Sequence, residues 1–248
     1  MAETFEALAA TLSDEVKPVH RSYLRRHLHP LLLCSPFAYR AYHKPLGYAG
    51  DYEIVDMMMR PPYEGSTLFA KMVNVWLLGQ APAIAHRNRV EYLSHKILDE
   101  ARRAKSRGRP SRVYNLGCGP AVELQQFLRE EPLSDQLHFD LLDFNEETLS
   151  HARTTLESMK RNHGRSTTIQ YTKRSVQQIL KESGRSIPRA PEQQYDLIYC
   201  AGLFDYLSDP VCKRLVNLFY EMLAPDGLLL ATNVSDSLNQ SHPFRHSV

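Results

Sequence analysis

The chain is short of cysteine, of long apolar runs and of net charge, and each shortage removes a class of protein. Its four cysteines, Cys34, Cys118, Cys200 and Cys212, are widely spaced. They form neither a disulfide framework nor a metal-ligand pattern, so reduced thiols, a cytoplasmic location and no metal site are expected. No apolar run reaches the length of a membrane span, and the N-terminus lacks a signal-peptide pattern. A formal net charge of +2 leaves no electrostatic footprint for a nucleic acid. Internal repeats and low-complexity segments are missing too. What remains is an ordinary globular composition, 43% hydrophobic and 23% charged over 248 residues. That length suits one large domain, or a medium domain with a smaller one.

Residues 1 to 104 read as a helical cap. Phe5, Leu8, Ala9 and Leu12 recur at helical spacing, Ser13 and Glu15 mark a helix start, and a second periodic stretch runs from Val16 to Leu33. Thr67 to Leu78 reads as an amphipathic helix with Leu68, Met72, Val75 and Trp76 as its buried stripe. Ala83 to Ala104 reads as a long helix carrying Ile84, Val90, Leu93 and Ile97, and Tyr42 to Tyr63 as an aromatic, glycine-rich loop. Residues 105 to 112 form the linker, within a stretch where six basic side chains crowd into the eleven positions Arg102–Arg112. It is either a solvated hinge or a basic patch for an acidic lipid or carrier surface.

From residue 113 to 248 strand and helix patterns alternate: Arg112–Leu116, Val122–Glu130, Leu137–Asp143, Glu146–Lys160, Thr167–Thr172, Val176–Glu182, Tyr195–Cys200, Pro210–Leu223 and Gly227–Asn233. Apolar strands between helices predict an α/β fold, a parallel sheet covered on both faces. The ligand then belongs at the carboxyl edges of strands one and four. There the first strand runs into Gly117-Cys118-Gly119, and about twenty residues on the next strand ends on Asp143. Glycines let backbone approach a ligand, and an acid at that interval accepts hydrogen bonds from ribose hydroxyls. The third glycine of a dinucleotide fingerprint is missing, which points away from NAD and towards S-adenosylmethionine.

Asn115-Leu116-Gly117-Cys118-Gly119-Pro120 resembles motif I of the class I S-adenosylmethionine methyltransferases, and Asp143-Phe144-Asn145 their second motif. Tyr195–Leu207 resembles motif IV, and Leu223–Leu230 the following turn and fifth strand. The resemblance implies a Rossmann-like core with S-adenosyl-L-methionine as cofactor. It implies a cofactor site of Gly117, Cys118, Gly119, Asp143, Phe144, Ser175, Val176 and Cys200. Alternatives stay open at three positions. Asp143 binds ribose or caps the next helix, Phe144 lies beside adenine or fills core, and Asp205 acts as a base or caps a helix. The family adds strands six and seven, which the polar tail after Asn233 cannot build. Either the sequence is a truncated piece of a longer chain, or another element or chain covers the fifth strand; an open apolar edge would otherwise invite a homo-oligomer.

The loop His43–Glu53 is rich in glycine and functional side chains. It is an aromatic-anchored connection or a lid, with His43 and Tyr48 as candidate catalytic groups and Tyr48 and Asp51 as cofactor contacts. Arg87 and Arg89, two positions apart, cannot share a helix face. Arg87 is taken here as the fork for a carboxylate. Lys44–Met58, Ala85–Leu93 and Cys200–Leu207 resemble a bacterial family of extracellular-factor 3-hydroxypalmitic acid methyl ester biosynthesis. That resemblance implies methylation of a 3-hydroxy fatty acid carboxylate in quorum sensing. The runners-up are N- or O-methylation of another natural product and a non-catalytic cofactor-binding module. Since a carboxylic acid ionises at roughly pH 4 to 5, a carboxylate acceptor needs no strong base. An alcohol or phenol would call on Asp205 or His43. Met57, Met58, Met59, Leu68, Phe69 and Trp76 line an acyl pocket or are plain core.

Overall fold

The computed structural model describes residues 2–48, 51–183 and 193–233. It divides into two compact units, Met1–Arg87 and Asn88–Val248.

In the second unit, β1 (Ser111–Leu116), β2 (Leu137–Asp143), β3 (Thr168–Lys173), β4 (Tyr195–Ala201) and β5 (Leu223–Thr232) form one parallel sheet in the order β3-β2-β1-β4-β5. The first six residues of β4, Tyr195 to Cys200, are all buried, as in a central strand covered on both faces. One face packs on α6 (Ala81–Arg107), α7 (Val122–Glu130) and α8 (Glu146–His163), through residues such as Leu93, Ile97, Leu124, Phe127 and Leu156. The other packs on α9 (Val176–Ser183) and α10 (Asp209–Met222), through Ile179, Leu215 and Phe219. Each fully buried side chain of this kind contributes about 1.5–3 kcal/mol. Strand order reverses between β1 and β4, and sheets of this kind bind ligands at the carboxyl ends of such a pair. This is a Rossmann-like architecture, a parallel sheet with helices on both faces. The tail from residue 234 onward, where strands six and seven are missing from the sequence pattern, lies outside the described residues.

The basic segment is not a free hinge. Helix α6 continues to Arg107, and Gly108 ends it at φ +68° with its N–H on Lys105 O. Beyond it Arg109 reaches the buried Asp196 at 2.7 Å, as Arg107 does at 2.8 Å. The Arg112 N–H adds a hydrogen bond at 2.9 Å. Glu100 accepts from Ser111 Oγ and pairs with Arg103 and Arg107. The boundary placed at residue 104 therefore falls inside a helix, while the compact units divide at residues 87 and 88.

The first unit holds α1 (Ala2–Ala10), α2 (Lys17–Leu32), α3 (Pro36–His43), α4 (Tyr52–Met59) and α5 (Leu68–Leu78). The segment read as one long loop thus contains α4, whose N-cap is Asp51. The stripe predicted for α5 is inverted. Leu68, Phe69, Met72, Val75 and Trp76 are exposed, and Ala70, Asn74 and Leu78 face inward. A polar clamp sets that rotation. Asn74 Oδ1 accepts from Ser35 Oγ at 2.7 Å, and Asn74 Nδ2 donates to Pro62 O at 2.8 Å. Among the described residues no single helix is long and apolar enough to cross a membrane.

Candidate functional site

The glycine turn is tied to the end of β2. Gly117 and Cys118 donate their N–H groups to Leu142 O at 2.8 and 3.0 Å. Gly119 N–H donates to Asp143 Oδ2 at 3.2 Å, and Asn145 N–H to Asp143 Oδ1 at 3.0 Å. Asp143 thus braces two turns and does not cap α8; Asn145 does, accepting from Thr148 N–H. Burial pushes the Asp143 carboxyl up, opposed by the N–H groups of Asn145, Gly119 and Phe144. Phe144 is 51% exposed and so is no core residue. Gly119 has φ +53°, and a Cβ there would meet nothing within 4 Å. The turn therefore leaves open space directly over backbone, the shape a ligand cradle requires.

Behind the turn lies a buried polar cluster that motif reading overlooked. Glu123, on the first turn of α7, accepts from Tyr199 Oη at 2.8 Å and from Asn115 Nδ2 at 3.3 Å. Burial pushes its carboxyl up, against the Tyr199 hydrogen bond and the charge of Arg89. Asn115 Oδ1 is buried without a hydrogen-bond partner. The Arg89 side chain crosses to the loop after β4, where a Cβ on Gly202 would lie 2.7 Å from Arg89 Nη1. Burial pulls the Arg89 guanidinium down, while Glu123, Asp205 and Tyr206 hold it up. The signal for Glu123 was its position four residues beyond Gly119. For Gly202 it was a glycine ending a strand, a position that allows close approach.

Several predicted contacts have other duties. Ser175 and Gln178 form a capping box at the start of α9: Gln178 N–H donates to Ser175 Oγ at 3.2 Å, and Ser175 N–H to Gln178 Oε1 at 2.9 Å. Val176 packs against the core beside α10. Cys200 is buried inside β4, its thiol pushed up to about 12 by burial. Burial likewise raises the Cys118 thiol far above its ordinary value, so it stays protonated. Asp205 is exposed in a short 3-10 turn, and Ser208 holds the N-cap position of α10.

His43, Tyr48, Asp51 and Arg87 belong to the other compact unit. Asp51 is almost fully buried, caps α4 through Ile54 N–H and pairs with Arg40 at 2.9 Å. Arg87 was the fork chosen for a carboxylate. Its guanidinium donates instead to Met58 O at 3.1 Å and Leu78 O at 3.0 Å. Those are carbonyls in the last turns of α4 and α5, which lack helical partners and favour a cation. The arginine at the strand ends is Arg89. His43 is exposed and stacks on Tyr39, with ring centroids 4.2 Å apart, and Tyr48 is half-buried. Met57, Met58 and Met59 are half-buried, whereas Leu68, Phe69 and Trp76 are exposed. A shallow cleft of about 260 Å³ between Arg112, His138, Asp140 and Gln170 lies at the far ends of the strands. Its polar floor is filled by the Arg112–Asp140 pair and Tyr195 Oη. Among the described residues no His, Cys, Asp or Glu cluster could hold a metal ion.

Residues 114–229 match the family described as "Methyltransferase domain". No curated protein matches the chain. Among solved structures, a possible exported protein of Bordetella parapertussis is 21% identical with a TM-score of 0.51, covering 79% of this chain and 60% of that one. PKMT2 from Rickettsia typhi, in complex with AdoHcy, is 21% identical with a TM-score of 0.36 over 48% of this chain and 20% of that one. A Geobacter sulfurreducens SAM-dependent methyltransferase, in complex with S-adenosyl-L-homocysteine, is 15% identical with a TM-score of 0.35 over 50% and 41%. The chain therefore spans less than two thirds of the length of each.

Proposed function

We propose that the chain, whose residues 114–229 match a methyltransferase domain, is an S-adenosylmethionine-dependent O-methyltransferase acting on the carboxylate of a small or acyl acid, such as a 3-hydroxy fatty acid. The observation that carries the cofactor site is the Asp143 bridge. One buried carboxylate accepts from both the glycine turn and the β2–α8 turn, beside open space over Gly119 and an exposed Phe144. In this reading Gly117, Cys118 and Gly119 offer backbone to the cofactor's amino-acid end. Asp143 takes the ribose hydroxyls, Phe144 lies along adenine, and Arg89 replaces Arg87 as the cation for a carboxylate.

The cofactor supplies a methyl group already activated on a sulfonium. The chain must hold the acceptor oxygen about 3 Å from that carbon and exclude water. The loop after β4 presents Asp205 and Tyr206 and no histidine. That supports an acceptor that is already an anion at neutral pH. Burial and then Asp205 push the Tyr206 phenol up, so it stays a neutral donor.

Calorimetric titration with S-adenosylhomocysteine tests the cofactor half. Roughly micromolar affinity is expected, with a loss of about 100-fold, near 2.7 kcal/mol, in Asp143→Ala. No binding by folded wild type sinks the reading. Methyl ester formation on 3-hydroxy acids tests the acceptor half, and Asp205→Asn should keep most of it. Cofactor affinity without turnover on any acid would leave a binding module. Activity confined to amines or alcohols would point to another natural product.

A further inference from the structure

We infer that the first compact unit docks on an anionic lipid bilayer, the outer face of α5 entering the headgroup region and the arginines of α2 meeting lipid phosphates. Neither part depends on the cofactor or the acceptor read above.

Helix α5 is built inside out. Leu68, Phe69, Met72, Val75 and Trp76 recur at i, i+1, i+4, i+7 and i+8, which is one helix face, and all are exposed. A helix free to roll would turn that face inward. Asn74 prevents it, because Ser35 and Pro62 hold both ends of its buried side-chain amide. The fold therefore fixes an apolar stripe outward, and such stripes mark contact surfaces. Residues 65–87 contain no acid, and the exposed Lys71 stands beside Met72. Trp, Phe and Leu on one face with a flanking lysine suit a helix lying in a membrane interface. The 11 residues of α5 make a helix about 16 Å long, against a hydrocarbon core of about 30 Å. It can lie in the bilayer surface but not cross.

The charge comes from α2. Its sixteen residues include four cations, three histidines and no acid, and none of them is buried. Lys17 pairs with Asp14 at 2.7 Å, while Arg21, Arg25 and Arg26 are exposed on the turns that follow. Val19, Tyr23 and Arg26 share a second face, so apolar and cationic side chains stand together there. Three residues after α2 ends, Ser35 enters the Asn74 clamp and joins the chain of α2 to α5. The basic stretch near residue 107 does not compete for this role. Its Arg103, Arg107, Arg109 and Arg112 are drawn onto Glu100, Asp196 and Asp140. A second copy of the chain suits the α5 face poorly. An isologous contact sets like against like, bringing Lys71 towards Lys71 with no acid on the stripe to answer it. Anionic lipid answers both parts, with an apolar phase for α5 and phosphates for the guanidinium groups.

Trp76 is the one tryptophan of the chain, so its fluorescence reports on α5 alone. The full chain is titrated with vesicles of phosphatidylcholine, with and without phosphatidylglycerol. Anionic vesicles should sediment the chain, shift Trp76 emission to the blue and, when brominated along the acyl chains, quench it. Added salt should weaken the binding, and phosphatidylcholine alone should bind at least about 10-fold more weakly. Arg21→Gln with Arg25→Gln should lower affinity about 25-fold, and Phe69→Ser about 10-fold. These positions are exposed, so circular dichroism should show the fold unchanged. Lys213→Gln, which removes an exposed cation from α10, should change affinity less than about twofold. Failure to bind anionic vesicles overturns the inference, and so does binding that leaves Trp76 emission unmoved. Self-association that shields Trp76 without lipid would assign the face to a second copy instead. Equally tight binding to a soluble polyanion, indifferent to Phe69→Ser, would assign α2 to an acidic macromolecule and overturn the bilayer.

Discussion

The two ends of this sheet each bury a carboxylate, and they treat it in opposite ways. At the amino-terminal end, burial alone would raise Asp196, but Arg109, the Arg112 N–H and Arg107 together hold it below the usual carboxylate range. At the carboxyl end, Glu123 meets two neutral donors and a more distant guanidinium, and burial wins. Asn115 Oδ1 beside it has no donor at all. The satisfied end tethers α6 to the sheet. The other end leaves Asn115 Oδ1 unmatched, at a cost in folding free energy.

The sharpest way to break that contrast is to unpair the tether. Asp196 has a depressed folded value, so its stabilisation is fully present above the unfolded carboxylate value, near pH 4. It is lost as pH falls through the lower folded one. Asp196→Asn should therefore lower stability by about 1–3 kcal/mol at neutral pH. Because Arg109 is half exposed, the lower half of that range is expected. Urea unfolding at pH 7 and near pH 3 checks this, and the difference between wild type and variant should shrink in acid. S-adenosylhomocysteine affinity should not move. A parallel loss of affinity would mean the two ends are coupled and the contrast is false.

Much of the core was legible, because period and punctuation agree there. The spans predicted for Val122–Glu130 and Leu137–Asp143 coincide with α7 and β2. The glycine turn and Asp143 meet as their spacing suggested. The cap was less legible. In α5 the larger apolar residues point outward because Asn74, a polar residue that periodicity counts as surface, is bound to Ser35 and Pro62 from distant positions. Arg87 and Arg89 carry the same charge on one helix, and sequence offers no way to tell which meets helix-end carbonyls. Ser175 looked like a ligand contact, but the capping pattern with Gln178 was already written three residues on.

The two arginines offer the next test. Arg89→Ala should weaken S-adenosylhomocysteine binding about 10-fold, the worth of one charge-assisted pair near 1.4 kcal/mol. Arg87→Ala should leave affinity in place and lower thermal stability, by about 1–2 kcal/mol for two lost bonds to helix-end carbonyls. If the effects are exchanged, Arg87 is the carboxylate fork after all.

The smallest effect probes how Arg89 is seated. Gly202 has φ +76°, and its missing Cβ makes room for the Arg89 guanidinium. In Gly202→Ala the obstacle is the far end of a flexible side chain, so Arg89 shifts rather than the backbone. The left-handed conformation adds about 1 kcal/mol of strain to the fold. Affinity should fall about threefold, less than in Arg89→Ala, because a displaced cation still attracts a carboxylate. The double variant decides the cause: with Arg89 already removed, Gly202→Ala should cost no further affinity. An equal loss in both backgrounds would place Gly202 against the ligand itself, and the guanidinium would then be its neighbour rather than its reason.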